Sequence, residues 1–369
     1  MSKLIIQNGN MCELDLPLKF AQKLYNEFAI RHPNAFYLRT RQRGMQNWDG
    51  KIHYITKTGQ FKIGLLPKVY DMCIEMGIKP KVVDMRQPLP KVSKVVTNIG
   101  KYKLRPEQEK AVKSVINNRV GDTPFHIGVL DYTVNAGKTL IMSSLYLTYK
   151  KQLKTLLITN DSDWLNQARE EFKQYLPGED ITFVQGKVLN WSNFTIGMVQ
   201  SISRNMRFYQ KELSQIDMVL VDEADQGGSK QYQNVITRLF NTRIRIGLSG
   251  TIYMSKLAKD KVKNMNLECF FGKVIAEFKL KDSIKKGYST KTIVKMVPGK
   301  PWYGNWESDC ISYKEIYDDS ITENNTAWTM AYNRLRWNIN QGRYPALVVC
   351  KHIAHCENLY KFFKKKLGD

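Results

Sequence analysis

The chain has 369 residues, more than one ordinary hydrophobic core organises, so two or three domains are expected. At 43% hydrophobic and 25% charged it has the composition of a folded globular protein, and no apolar run is long enough for a transmembrane helix or a secretory leader. Lys and Arg number 57 against 34 Asp and Glu, a net charge of +23. That surplus points to a polyanion, nucleic acid ahead of an acidic membrane, since neither a basic amphipathic membrane helix nor a lipidation motif is present.

Residues 1–90 read as a small α+β unit. Leu16, Phe20, Leu24 and Phe28 recur at helical spacing, which predicts a helix over 14–30 that stops before Pro33. Strands are expected over 35–38, 51–55, 61–63 and 81–83, with a helix over 66–76 and a linker at 87–90. Residues 91–280 then alternate apolar strands (125–130, 155–159, 195–199, 218–221, 245–248) with helices such as 138–149 and 164–175, the rhythm of a parallel α/β sheet. Residues 281–369 are mixed: a strand over 291–297, a helix over 322–339, a strand over 346–349 and a lysine-rich helix over 356–367.

Six scattered cysteines without a C-x-x-C pair suit reduced thiols and a cytoplasmic protein. The Cys350, His352, His355, Cys356 cluster falls where a strand turns into a helix, which would splay its side chains, so it is not read as a metal site.

The chemistry concentrates at two strand ends. Thr133, Val134, Asn135, Ala136, Gly137, Lys138 and Thr139 lie between a strand and a helix, where a phosphate loop is built. Backbone N–H groups and the helix N-terminus face the phosphates, Lys138 reaches them, and the Thr139 hydroxyl holds Mg²⁺. The loop departs from the usual pattern in one place, with Tyr132 where a glycine normally stands. The apolar run 219–221 ends in Asp222-Glu223-Ala224-Asp225. Asp222 suits a Mg²⁺ ligand and Glu223 a base that orients and deprotonates water, so the two segments together read as an ATP-hydrolysing site with Lys138, Asp222 and Glu223 catalytic.

Further segments, in the same order along the chain, resemble the motifs of superfamily 2 helicases. Leu104-Arg105-Pro106-Glu107-Gln108 is similar to the family's adenine-reading motif and implies that Gln108, with Arg105, binds the base. The segment at Asn160, with 164–167, and the segment at Gln200 and Ser201 stand where the family contacts a nucleic-acid backbone. Ser249-Gly250-Thr251 resembles the motif whose hydroxyls couple hydrolysis to movement. Asn47-Trp48-Asp49-Gly50-Lys51-Ile52, Gly64-Leu65-Leu66-Pro67 and 348–355 resemble phage branch-migration helicases of the UvsW type.

The resemblance implies an α/β fold: a RecA-like parallel sheet with helices on both faces, preceded by the small α+β domain and followed by the beginning of a second RecA-like lobe. It also implies ATP and Mg²⁺ as cofactors. The substrate would be branched or forked DNA, such as Holliday junctions, D-loops or R-loops, with Lys351 and His352 on the nucleic-acid side. Since only the first strand and helix of the second lobe are recognisable, and no arginine finger, weak ATP hydrolysis by this chain is expected.

The first unit supports a DNA partner independently. Between Arg31 and Lys68 eight basic residues face the single acid Asp49. Arg39, Arg41 and Arg43 alternate, which on a strand would give one basic face, and Lys51 adds to it. Phe36, Tyr37, Trp48 and Tyr54 are interleaved and could stack on exposed bases, although Trp48 is read as core. Trp302, Tyr303 and Trp306 read as packing of a linker, and Trp328 and Trp337 as packing within a helix. A translocase that moves on duplex DNA without opening it, and a DNA-binding module with a vestigial nucleotide site, are the alternatives; RNA as substrate is the weaker reading.

Overall fold

The computed structural model describes residues 2–41, 44–149, 152–186, 190–252, 258–291, 312, 315, 317–343 and 347–367. The chain divides into two compact units, 1–291 and 292–369. No helix among the described residues is long and apolar enough to cross a membrane.

A seven-stranded sheet organises the first unit. Its order is 181–184, 194–198, 155–159, 218–222, 244–249, 127–132, 274–278, and every neighbouring pair is parallel. The strands 127–132, 155–159, 218–222 and 244–249 are buried along their whole length, as expected where helices cover both faces. Period-two alternation sorts their side chains: Val129, Leu156, Ile158, Val219 and Val221 enter one core, and Leu130, Leu157, Leu220, Ile246 and Leu248 the other. The sequence pattern missed the outer strands 181–184 and 274–278, whose first three and first two residues respectively are only half-buried and so lack a continuous apolar run.

The N-terminal part is a four-stranded sheet, order 60–62, 11–15, 3–6, 81–84, covered by the helices Leu18–Glu27 and Leu66–Glu75. Its core residues Leu4, Ile6, Phe28 and Phe61 continue into the core on one face of the large sheet. The seam is tight: a Cβ on Gly64 would strike the Glu268 carbonyl, and one on Gly9 would lie 2.6 Å from the Leu239 carbonyl. Arg245 crosses it from the central strand 244–249, fully buried. It donates to the carbonyls of Gly9 (2.6 Å) and Phe270 (3.1 Å) and to Asn10 Oδ1 (2.8 Å), so its charge is held by oxygen dipoles rather than by a carboxylate.

Three N-terminal expectations fail. The helix expected over 14–30 is Leu18–Glu27, with 14–15 ending one strand and 29–31 forming another. Trp48, read as core, is half-buried and belongs to neither core of the first unit. The run 35–38 is part of a helix, Ala35–Arg41, and not a strand. Pro33 and Asn34 start it, with Leu38 N donating to the Asn34 carbonyl at 3.0 Å. A short apolar run fits either period, and the alternating arginines mimicked period two. On the helix Arg39 and Arg41 lie roughly 200° apart, so they share no face. Arg43 lies outside the described residues.

In the second unit, helices Asn325–Asn340 and Ile353–Leu367 pack through Tyr332, Leu359 and Phe363, with Trp328 against Phe362 at 5.5 Å. Trp337 is 38% exposed and lies beneath the guanidiniums of Arg334 (4.2 Å) and Arg343 (4.9 Å), rather than in that core. Residues 347–349, where a strand is expected over 346–349, form none among the described residues: Leu347 and Val349 are exposed and pair with no described strand, and a strand exists only through a neighbour's hydrogen bonds. Residue 346, the strand expected over 291–297 and the aromatic segment 302–306 lie, except for Lys291, outside the described residues.

Candidate nucleotide and nucleic-acid site

The phosphate loop follows strand 127–132, Asp222 ends strand 218–222, and strand 244–249 between them ends in Ser249. All three therefore open at the carboxyl edge of the sheet, where ligands of such folds sit. Tyr132, where a glycine was missing, still belongs to the strand; its ring is buried and its hydroxyl donates to the Glu107 carbonyl at 2.8 Å. The turn comes later, with Asn135 at φ 63 and Gly137 at φ 73. Asn tolerates that left-handed conformation, and at Gly137 any side chain would also collide with the Gln108 amide. Gly137 then caps the helix Lys138–Thr148.

Lys138 closes the site. Its Nζ is 3.1 Å from Glu223 Oε1 and 3.4 Å from Asp222 Oδ1. Burial opposes its charge, but the Asp222 and Glu223 carboxylates outweigh burial and hold the ammonium above its ordinary range. Burial pushes the Asp222 carboxyl up, and Glu223 adds to this, against the pull of Lys138. Glu223 itself takes a left-handed backbone (φ 51), a conformation uncommon for a residue with a Cβ, and its carboxylate stays 44% exposed. Asp222 Oδ1 is buried, and Lys138 Nζ at 3.4 Å pairs with it without a well-formed hydrogen bond, so this anionic atom keeps acceptor capacity that a cation could use. The half-buried Thr139 follows Lys138 on the same helix. These groups fit Mg²⁺ and phosphate.

Gln108 is committed within the protein. It is buried, its Oε1 accepts from Arg105 N (2.8 Å) and its Nε2 donates to the Ala136 carbonyl (2.9 Å), so here it clamps the loop. Arg105 bonds the Asn135 carbonyl (3.2 Å) and lies 4.2 Å over the Tyr288 ring. Thr133 is buried, while Val134 is 70% exposed. Ser249 donates to Asp225 Oδ1 at 3.3 Å, and the exposed Thr251 returns its N–H to Ser249 Oγ at 3.2 Å. Sequence reasoning passed over Asp225 as a site residue, although the last letter of D-E-A-D was the signal; it also passed over Tyr288, for which no motif existed.

Of the residues expected to contact nucleic acid, Asn160 and Gln200 meet at the ends of two paired strands: Gln200 Nε2 donates to the Asn160 carbonyl (3.2 Å), and Asn160 Nδ2 to Gln226 Oε1 (2.7 Å). Ser201 is buried and its hydroxyl accepts from Gly186 N. Arg39, Arg41 and Lys51 are exposed in the N-terminal unit. Lys351 and His352 are exposed beside the Tyr317 ring of the second unit.

Comparison with known proteins bears on the fold and the family resemblance. Residues 101–254 match a family described as type III restriction enzyme, res subunit. The ATP-dependent DNA helicase uvsW of Enterobacteria phage T4 is 22% identical over 228 residues, a match covering 56% of this chain and 43% of that protein. The chain thus spans less than half the length of this curated relative. A crystal structure of the UvsW helicase from bacteriophage T4 superposes with a TM-score of 0.58 at 21% identity, over 75% of this chain and 99% of that one. A second T4 UvsW crystal structure gives 0.58 at 19% identity, over 99% and 73% respectively. The chain resembles the superfamily 2 helicases, UvsW among them, and shares their RecA-like α/β fold.

Proposed function

We propose that the chain is part of an ATP-dependent DNA motor that remodels branched or forked DNA. The observation carrying this reading is the Lys138 ammonium between Asp222 and Glu223 at the carboxyl edge of a parallel sheet, behind a loop whose turn requires Gly137. In this reading Lys138 and the loop N–H groups hold the ATP phosphates. Bound Mg²⁺ would supply charge neutralisation there, on Asp222 and the Thr139 hydroxyl. Glu223, the more exposed carboxylate, orients the attacking water and accepts its proton. Binding frees Glu223 for that task, because phosphate replaces it as the partner of Lys138.

Gln108 and Arg105 shape the adenine side, Gln108 by fixing the loop and Arg105 with its flat guanidinium. Ser249 and Thr251 link the acidic turn to the neighbouring strand end. Asn160 and Gln200 lie at adjacent strand ends, suited to a DNA backbone, and Arg39, Arg41 and Lys51 supply phosphate contacts from the N-terminal unit. Similarity to a phage DNA helicase favours DNA over RNA. The test is ATP turnover by the chain with no DNA, with blunt duplex and with forked DNA, alongside strand separation. Stimulation greatest with the fork is expected. Stimulation by duplex without strand separation would turn the reading to a duplex translocase, and DNA-independent turnover would overturn it.

A further inference from the structure

The N-terminal unit holds a cavity that the nucleotide chemistry does not use. It measures about 490 Å³ and is lined by Arg31, Phe36, Arg39, Asp49, Gly50 and Lys51, among others; sites for small molecules and single groups span roughly 300–1,000 Å³. Its floor is tied down. The Gly50 carbonyl accepts from His32 N at 2.9 Å, Trp48 Nε1 donates to the Lys51 carbonyl at 2.9 Å, and Asp49 Oδ1 accepts from Lys51 N at 2.9 Å. Gly50 has φ +78, and an added Cβ would lie 3.1 Å from Ala35 Cβ.

The charges around the cavity are unevenly engaged. Its one acidic lining residue, Asp49, has Oδ2 2.6 Å from His53 Nε2. Arg31 and Arg39 are exposed and have no ion-pair partner within 4 Å among the described residues. Phe36 stands at the rim, 80% exposed, an apolar surface left in water. Its neighbour Tyr37, 54% exposed, has the Arg41 guanidinium over its ring at 4.9 Å.

We propose that this cavity receives one unpaired nucleotide of a DNA strand, with the base stacked on Phe36 and the flanking phosphates on Arg31, Arg39 and Lys51. The proposal rests on the DNA reading above and narrows it. Unengaged cations select phosphate, and an uncovered ring selects the flat face of a base. A base inside a duplex keeps both faces stacked and cannot enter, so the cavity discriminates in favour of forks, gaps and junctions.

The test compares the dissociation constants of the full chain for a fork with unpaired nucleotides and for a blunt duplex of equal length. The wild type should prefer the fork about tenfold or more. Phe36→Ala should collapse that preference towards one, since stacking of one base contributes about 1–3 kcal/mol, or roughly 5- to 150-fold. Phe36→Trp should preserve it, and Arg39→Glu should weaken both substrates. An unchanged melting temperature of Phe36→Ala, expected for so exposed a side chain, shows that the fold is intact. A Phe36→Ala protein that binds DNA with the wild-type preference overturns the cavity assignment but leaves the DNA reading standing. A wild type that binds neither substrate overturns both. A free mononucleotide presents the same groups, so dAMP is titrated against the fork; displacement at equal molar potency would overturn the strand-binding assignment in favour of a free-nucleotide site.

Discussion

The proposed nucleotide cleft and the N-terminal cavity handle charge in opposite ways. In the cleft a largely buried lysine is paired with two acids, and the loop beside it is clamped by Gln108. In the cavity the arginines are exposed and have no ion pair among the described residues, around a floor that hydrogen bonds hold in place. The first arrangement exchanges one set of strong partners for another and suits a cycle of binding and release. The second adds attraction without displacing anything, which suits a grip that does not read sequence. Changes in the cleft should therefore act as switches, and changes in the cavity as graded adjustments.

The contrast breaks first at Lys138. Lys138→Ala removes the cation that both carboxylates face, and ATP turnover should fall by about 100-fold or more in a steady-state assay. A fall of only a fewfold would mean that the cleft, like the cavity, is a graded site.

The seam between the two regions comes next. Arg245→Met leaves the Gly9 and Phe270 carbonyls and Asn10 Oδ1 without their donor. Each buried orphan costs about 1–3 kcal/mol, so the unfolding free energy read from urea titration should drop by several kcal/mol. Unchanged stability would show that the two sheets do not depend on this side chain.

Acidification sharpens the contrast further. The Asp222 carboxyl titrates above the ordinary aspartate range because it is buried, so it takes up a proton at a higher pH than an exposed aspartate would. A cation needs the carboxylate, so Mg²⁺-dependent nucleotide affinity should decline as pH falls, starting above the usual range. Saturating Mg²⁺ should move the midpoint downward. Lys138, held above its ordinary range, stays charged throughout that window and contributes no slope.

The smallest expected difference separates two arginines. Arg39 lines the cavity, while Arg41 lies over Tyr37. Arg39→Ala should weaken fork binding several-fold, and Arg41→Ala less than about twofold, as read by anisotropy titration. Equal losses would restore the single basic face that alternation on a strand predicts.

What could be read in advance followed burial. Strands covered on both faces announce themselves as unbroken apolar runs, and the five inner and near-inner strands of the large sheet emerge within a residue or two of their place. Their ends carry Lys138, Asp222 and Ser249, so the cleft emerges with them. The strands 3–6 and 11–15 escaped notice because they span only four and five positions and their half-buried positions include the apolar Ile5 and Met11, so alternating burial does not appear as alternating hydrophobicity. The helix 35–41 was misread because Phe36 and Tyr37 are exposed, so its apolar residues mark no core face. The clamp at Gln108 and the platform at Tyr288 depend on contacts between distant segments, which spacing along a chain does not encode.

The most direct measurement pairs binding with turnover in Glu223→Gln. The substitution keeps the shape of the side chain and removes its charge and basicity. Mg²⁺-dependent ATP binding should stay within a fewfold of wild type, while hydrolysis in the presence of forked DNA should fall by about 100-fold. Wild-type turnover by Glu223→Gln would contradict the account, because the water would then be activated elsewhere and the pairing of Lys138 with Glu223 would serve structure alone.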